Sequence, residues 1–382
     1  MKKGKFRARR WLTGSVILFI FAIFPLRGLA QQRQPKTGWA DPEQVESVKV
    51  DIAPDLQSLF TRSNQAKSVI EFNSIIEGSR TIAKDTTRGT AEREYAKRLL
   101  SWAANRQGEL RTDMAGDMVR EGQIEEAKIL DRRAAEDFLL SIEYDPSRWR
   151  AHHNLGVVLA VSGDIDSAIQ SFTKTIELEP KFFEAIFNRA ELYVQKDDLP
   201  SAVADYDQAI ALSPDDPAMR SARGRVHTKL GNLEGAIADF QEVMRLEPES
   251  GEAAGAYADT CQRLARWKDA AMGYQKALQL APDNPLILQN AAWMMATCPD
   301  EYYRDPKTAL KTATRAVETS EGPVSAHRLH VLSVAQAATG DFGSAIASIN
   351  EALSLTSDPV LRQELTQHRA LFQRKRPFVQ AP

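Results

Sequence analysis

Four prolines, Pro180, Pro214, Pro248 and Pro282, stand at equal steps along the chain without a gap, and three further columns keep the same step. Ala168, Ala202, Ala236 and Ala270 make one. Phe172, Tyr206, Phe240 and Tyr274 make the second, and the small residues Gly156, Ala190, Gly224 and Ala258 the third. One period held by several residue types marks a stacked repeat, in which each unit buries its apolar face only against its neighbours. Within each unit apolar residues recur at helical spacing and no alternating strand pattern appears, so the class is all-α.

Each column has a physical reason. The small residue sits in the first helix of a unit and the alanine in the second, where a bulkier side chain would splay the pair. The aromatic, four residues after the alanine, lies on the same helical face and fills the groove between helices. The proline ends the second helix. Gly163, Asp197 and Gly231 fall near the turn between the two helices, where a left-handed backbone or a side-chain cap is useful.

This period and these residue types resemble the tetratricopeptide repeat, a helix-turn-helix unit of about 34 residues. Four regular units cover 149–182, 183–216, 217–250 and 251–284. One step upstream, Ala134, Phe138 and Pro146 keep the pattern; their unit has its first helix around 98–111, followed by a long connection at about 112–130. Helical periodicity over 64–83 suggests a degenerate earlier unit. Downstream, Ala291, Ala292, Leu310, Ala313 and Ala316 mark a unit lengthened by residues 298–305, and Gly340, Ala345, Ile349 and Ala352 mark another at about 326–357. The run from Ala291 to Asp305 resembles an elongated repeat of large exported bacterial multi-repeat proteins. Asp358-Pro359 opens a candidate capping helix, with Leu361, Leu365, Leu371 and Phe372 over the last repeat and Arg374, Lys375 and Arg376 complementing its dipole. The resemblance implies a right-handed α-solenoid of about seven repeats with a C-terminal cap.

Residues 1–30 read as a targeting segment. Lys2, Lys3, Lys5, Arg7, Arg9 and Arg10 precede an apolar stretch densest over Val16–Phe24, and Gly28 and Ala30 have the spacing signal peptidase requires. Cleavage after Ala30 is expected. An uncleaved anchor is the alternative, although the stretch falls short of the roughly 20 residues needed to span a bilayer. Arg9-Arg10 before Trp11-Leu12 also resembles a twin-arginine signal. The expected location is therefore the periplasm or cell envelope, with membrane contact only through an uncleaved anchor. Residues 31–57 follow as a linker, 58–148 as N-terminal helices, 149–284 as the regular repeats, 285–357 as two further units and 358–382 as cap and tail. The whole chain has 49 basic and 51 acidic residues; without the leader's seven basic residues 42 remain, a formal net charge of −9. Nucleic acid is thus not an expected partner. Cys261 and Cys298 are the two cysteines, too few for a disulfide framework. Cys261 falls in an inward column with Leu159 and Tyr193, and an approach of the two thiols is left open.

No phosphate loop, nucleophile elbow, zinc-protease motif or calcium loop occurs, so no catalytic residue, cofactor or metal is expected. His327 and His330, three apart, have no third ligand of suitable spacing and read as solvated or capping. By the geometry the resemblance implies, first helices line a concave face that would receive Arg150, His153, Glu184, Phe187, Glu191, Arg225, Lys229, Asp259, Gln262, Arg263, Gln289 and Trp293. Arg225 and Lys229, four apart, share a helical face suited to a carboxylate. Trp293 is either an aromatic anchor for a partner or a packing residue under the 298–305 segment. The expected function is a non-catalytic scaffold binding a peptide or protein in the groove. The alternatives are a self-associating envelope component or an enzyme whose acids lie at 112–130 or 298–305.

Overall fold

The computed structural model describes residues 53–319 and 322–380; the leader and most of the linker lie outside the described residues. Among them are 17 helices and no strand, in agreement with the all-α repeat expected from the period. The described residues fall into two compact units, one up to Leu212 and one from Ser213.

The first unit holds α1 (Pro54–Ser63), α2 (Val69–Lys84), α3 (Thr90–Arg120), α4 (Ile124–Tyr144), α5 (Trp149–Ser162), α6 (Ile165–Leu178), α7 (Phe183–Gln195) and α8 (Leu199–Leu212). Each helix packs on the next, and α3, α5 and α7 also touch in sequence, as stacked hairpins do. A reciprocal capping box between Ser68 and Glu71 starts α2. The long connection expected at 112–130 is instead helical. No proline interrupts it, so α3 runs on to Arg120 and buries Ala115. The helix stops at Gly122, whose φ of 80° reverses the chain while the Gln123 N–H donates to Met118 C=O at 2.8 Å. Asp113 and Asp117 accordingly ride on α3, and Glu125 and Glu126 on α4.

The second unit holds α9 (Pro217–Lys229), α10 (Leu233–Leu246), α11 (Gly251–Arg263), α12 (Trp267–Leu280), α13 (Pro285–Thr297), α14 (Pro306–Glu318), α15 (Ala326–Ala338), α16 (Phe342–Leu355) and α17 (Pro359–Gln373). Consecutive helices pack throughout, and α17 lies on both α15 and α16. There Leu361, Leu365 and Phe372 join Leu329, Val334 and Ile349 in one apolar cluster, closing the last hairpin as a cap must.

The tight hairpin turns follow from one backbone position. Gly163, Asp197, Gly231 and Ala265, each one repeat after the last, have φ of 88°, 59°, 75° and 55°. In all four the following N–H reaches back to a carbonyl five positions upstream, as in Asp164 to Leu159 and Arg266 to Cys261. Asp164, Asp198 and Asn232 then cap the second helix with their side chains.

The small-residue and aromatic columns interlock in two alternating ways. A Cβ added at Gly156 would lie 2.9 Å from Phe172 Cε1, and one at Gly224 2.9 Å from Phe240 Cε1, so phenylalanine packs directly on the backbone of the first helix. Where that column holds Ala190 and Ala258 the aromatic is tyrosine, and the hydroxyls of Tyr206 and Tyr274 donate to Glu191 and Asp259 on the facing helix. No helix among the described residues is long and apolar enough to cross a membrane.

Candidate functional site

In the first unit most of the expected face turns out to be occupied by the protein itself. His153 on α5 is buried, edge-on to Phe182 with centroids 4.9 Å apart, and the Asn188 amide nitrogen sits 3.4 Å from its Nε2. Burial draws its pKa down to about 4, so the ring is neutral near pH 7. Phe187 on α7 is buried against Tyr206. Both are packing residues rather than surface open to a partner, because the first helix must bury them to seat the aromatic of the second. Arg150 is half-buried, its guanidinium 4.3 Å from the Trp149 ring. Glu191 is half-buried and engaged by Tyr206. Glu184 is likewise half-buried.

The second unit differs. Arg225 and Lys229 on α9 and Arg263 at the end of α11 are exposed. Arg225 donates to Ser221 Oγ at 3.0 Å. Lys229 and Arg263 occupy equivalent repeat positions. Asp259 is turned inward, accepting from Tyr274 and from Asn290 Nδ2 at 2.9 Å; burial raises its carboxyl pKa. Gln262 Oε1 accepts from Tyr274 at 3.0 Å, and Gln289 is half-buried on α13.

Trp293 packs against the chain's own C-terminal end. Its ring centroid lies 5.3 Å from His330 on α15, 6.2 Å from His368 on α17 and 5.7 Å from Phe378 in the tail. The Gln380 N–H donates to Thr297 C=O at 2.8 Å, holding the tail along α13. A tryptophan expected to face a partner or the 298–305 segment thus carries an intramolecular contact that its own repeat gives no hint of.

Two further arrangements were not anticipated. Arg189 on α7 grips Asp205 on α8 through Nε and Nη2, both at 2.8 Å, and its Nη1 reaches Thr173 at 3.0 Å. One repeat later Arg223 grips Asp239 at 2.9 and 2.5 Å. The signal was present as an Arg and an Asp 16 apart, recurring at the repeat step. Arg111 similarly ties α3 to Asp137 on α4, where burial outweighs the guanidinium and pushes the carboxyl up to about 6. The second arrangement corrects the solvated reading of His330: it is buried, with Nε2 2.7 Å from Nδ1 of buried His368. Burial draws the two imidazoles down to about 3 and about 4. Cys261 and Cys298 are both buried, as free thiols, in one cluster with Tyr274 and Met294.

Two tetratricopeptide-repeat family models match the sequence, at residues 158–217 and 190–259. No curated protein matches it. Similar solved structures include a tetratricopeptide repeat protein from Parabacteroides merdae, 18% identical over 70% of this chain and 98% of that one, with a TM-score of 0.49. PilF of Pseudomonas aeruginosa is 16% identical over 69% of this chain and 98% of that one, TM-score 0.44. YrrB, described as a TPR protein with an unusual peptide-binding site, is 15% identical over 61% of this chain and 99% of that one, TM-score 0.38. Family models on the central repeats, together with helical hairpins recurring at one constant step, show that this chain carries tetratricopeptide repeats.

Proposed function

We propose that this protein is a non-catalytic interaction scaffold whose second unit receives a carboxylate-bearing peptide or protein segment along α9 and α11. The repeat family supports the scaffold role. The observation that carries the finer reading is the set of exposed cations Arg225, Lys229 and Arg263 on successive first helices, with no ion pair to any of them among the described residues. Solvated cations, of which Lys229 and Arg263 stand at equivalent repeat positions, steer an acidic partner and pair with it at modest desolvation cost. The neighbouring acid, Asp259, is half-buried, accepts from Tyr274 and Asn290, and makes no salt bridge to Arg263. The N-terminal leader pattern supports export to the periplasm or cell envelope, which N-terminal sequencing of the protein from fractionated cells would test.

The binding reading is tested by placing a photoreactive residue at Lys229, at Arg263 and, as control, at exposed Met272 on α12, then crosslinking in native cells. A defined adduct from the first two sites, lost when Arg225→Glu accompanies Glu at the remaining cation, is expected. An adduct that forms equally from Met272, or that survives charge reversal, overturns the proposal.

A further inference from the structure

A buried histidine pair at the junction of the last hairpin and its cap has no role in the scaffold reading. His330 projects from α15 and His368 from α17, and Nε2 of the first faces Nδ1 of the second at 2.7 Å. Glu364 lies four residues before His368, on the same face of α17. Its carboxylate oxygen and the two ring nitrogens all fall within 4.8 Å of one another. Two imidazoles and one carboxylate converging from two elements are therefore held by the packing of the cap, with the rings of Trp293 and Phe378 around them.

We propose that His330 Nε2, His368 Nδ1 and the Glu364 carboxylate form a zinc site that pins the capping helix to the last hairpin. The donor set narrows the choice of ion: two imidazole nitrogens and one carboxylate suit Zn²⁺ and its neighbouring transition metals, whereas Ca²⁺ and Mg²⁺ require an oxygen cage. With Zn–N bonds of about 2.0–2.1 Å in a tetrahedron, the two nitrogens would stand about 3.3 Å apart. The pair therefore opens by roughly half an ångström on binding, and half-buried Glu364 swings in to complete the set. In the hydrogen-bonded pair one imidazole N–H points at the lone pair of the other. The ion takes the place of that proton, which moves to the second nitrogen of the same ring, so both ligands remain neutral imidazoles. Three protein ligands leave a fourth position for water, and the consequence is mechanical: binding energy adds to the docking of α17.

The test uses the full chain, stripped with a chelator and titrated with Zn²⁺ against a chromophoric competitor, with Trp fluorescence and thermal unfolding followed in parallel. One equivalent of Zn²⁺ per chain, a rise in Tm and a change in Trp emission are expected. Glu364→Gln, which changes a half-buried residue and leaves the apolar cap intact, should weaken binding at least about tenfold, and His368→Gln should abolish it. Co²⁺ in the wild type should show the visible absorption of a tetrahedral ion. Failure of the wild type to bind above Glu364→Gln, or equal binding by His368→Gln, overturns the proposal. Circular dichroism of both variants shows that any loss is not unfolding.

Discussion

The Arg223–Asp239 staple joins α9 to α10, and the repeats themselves show what replaces it. One repeat upstream the same contact is Arg189–Asp205, but two repeats upstream the pair is Leu155 with Ser171, and one repeat downstream it is Tyr257 with Gly273. Leu155 sits in an apolar cluster with Phe138 and Val158, and Ser171 satisfies itself by donating to Ser167 C=O at 2.9 Å. The staple is therefore one of several solutions to the same gap. Removing a single partner is a different matter. The Asp239 side chain is only 3% exposed, so Arg223→Leu strands a buried carboxylate, at a cost of about 3–4 kcal/mol. Arg223 is 19% exposed and keeps some hydration, so Asp239→Ser is expected to cost less, about 2 kcal/mol. The double variant Arg223→Leu/Asp239→Ser installs the pair already used by α5 and α6, and should lose only about 1 kcal/mol, because neither charge remains to be desolvated. Denaturant titration of all four proteins by circular dichroism gives the coupling energy. Hydrogen exchange of α9 and α10 amides supplies the local value where the repeat array departs from two-state unfolding. A double variant whose loss equals the sum of the singles would refute the reasoning, since it would mean that each side chain acts independently of the other's charge.

Gly224→Ala sets helix propensity against packing. Alanine gains about 1 kcal/mol in an open helix, but here its Cβ meets the buried Phe240 ring, and overpacking of about 1–3 kcal/mol gives a net loss of about 1 kcal/mol in the same titration. Ala265→Gly should do the reverse: at φ 55° a Cβ is strained by about 1–2 kcal/mol, and relief exceeds the added chain entropy of glycine, for a gain of about 0.5–1 kcal/mol. His153 makes the first unit acid-sensitive. Its folded pKa, about 4, lies below the ordinary 6.5, so the unfolded chain binds the proton first and stability falls as pH drops from about 6.5 toward 4, by at most about 3 kcal/mol. Comparing wild type with His153→Leu by thermal unfolding across that range isolates the contribution; parallel pH profiles would count against it.

The repeat period by itself determined the helical hairpin, the order of the repeats and the turn positions, because each depends on neighbours a few residues or one repeat away. Gly163, Gly231 and Asp197 announced their left-handed turns in that way. The alternation of Gly with Phe and Ala with Tyr was equally present in the columns, and its meaning came from the geometry of the facing backbone. The burial of His153 and Phe187 was decided only in three dimensions, since a residue on the inner side of a first helix is open or closed according to how far the adjacent aromatic reaches across it. The approach of His330 to His368, 38 residues apart, and the return of Phe378 and Gln380 to α13 follow no repeat step. A terminal hairpin has no neighbouring repeat to cover it, so the chain closes that face with whatever its last helix and tail supply, and only the packed structure shows what that is.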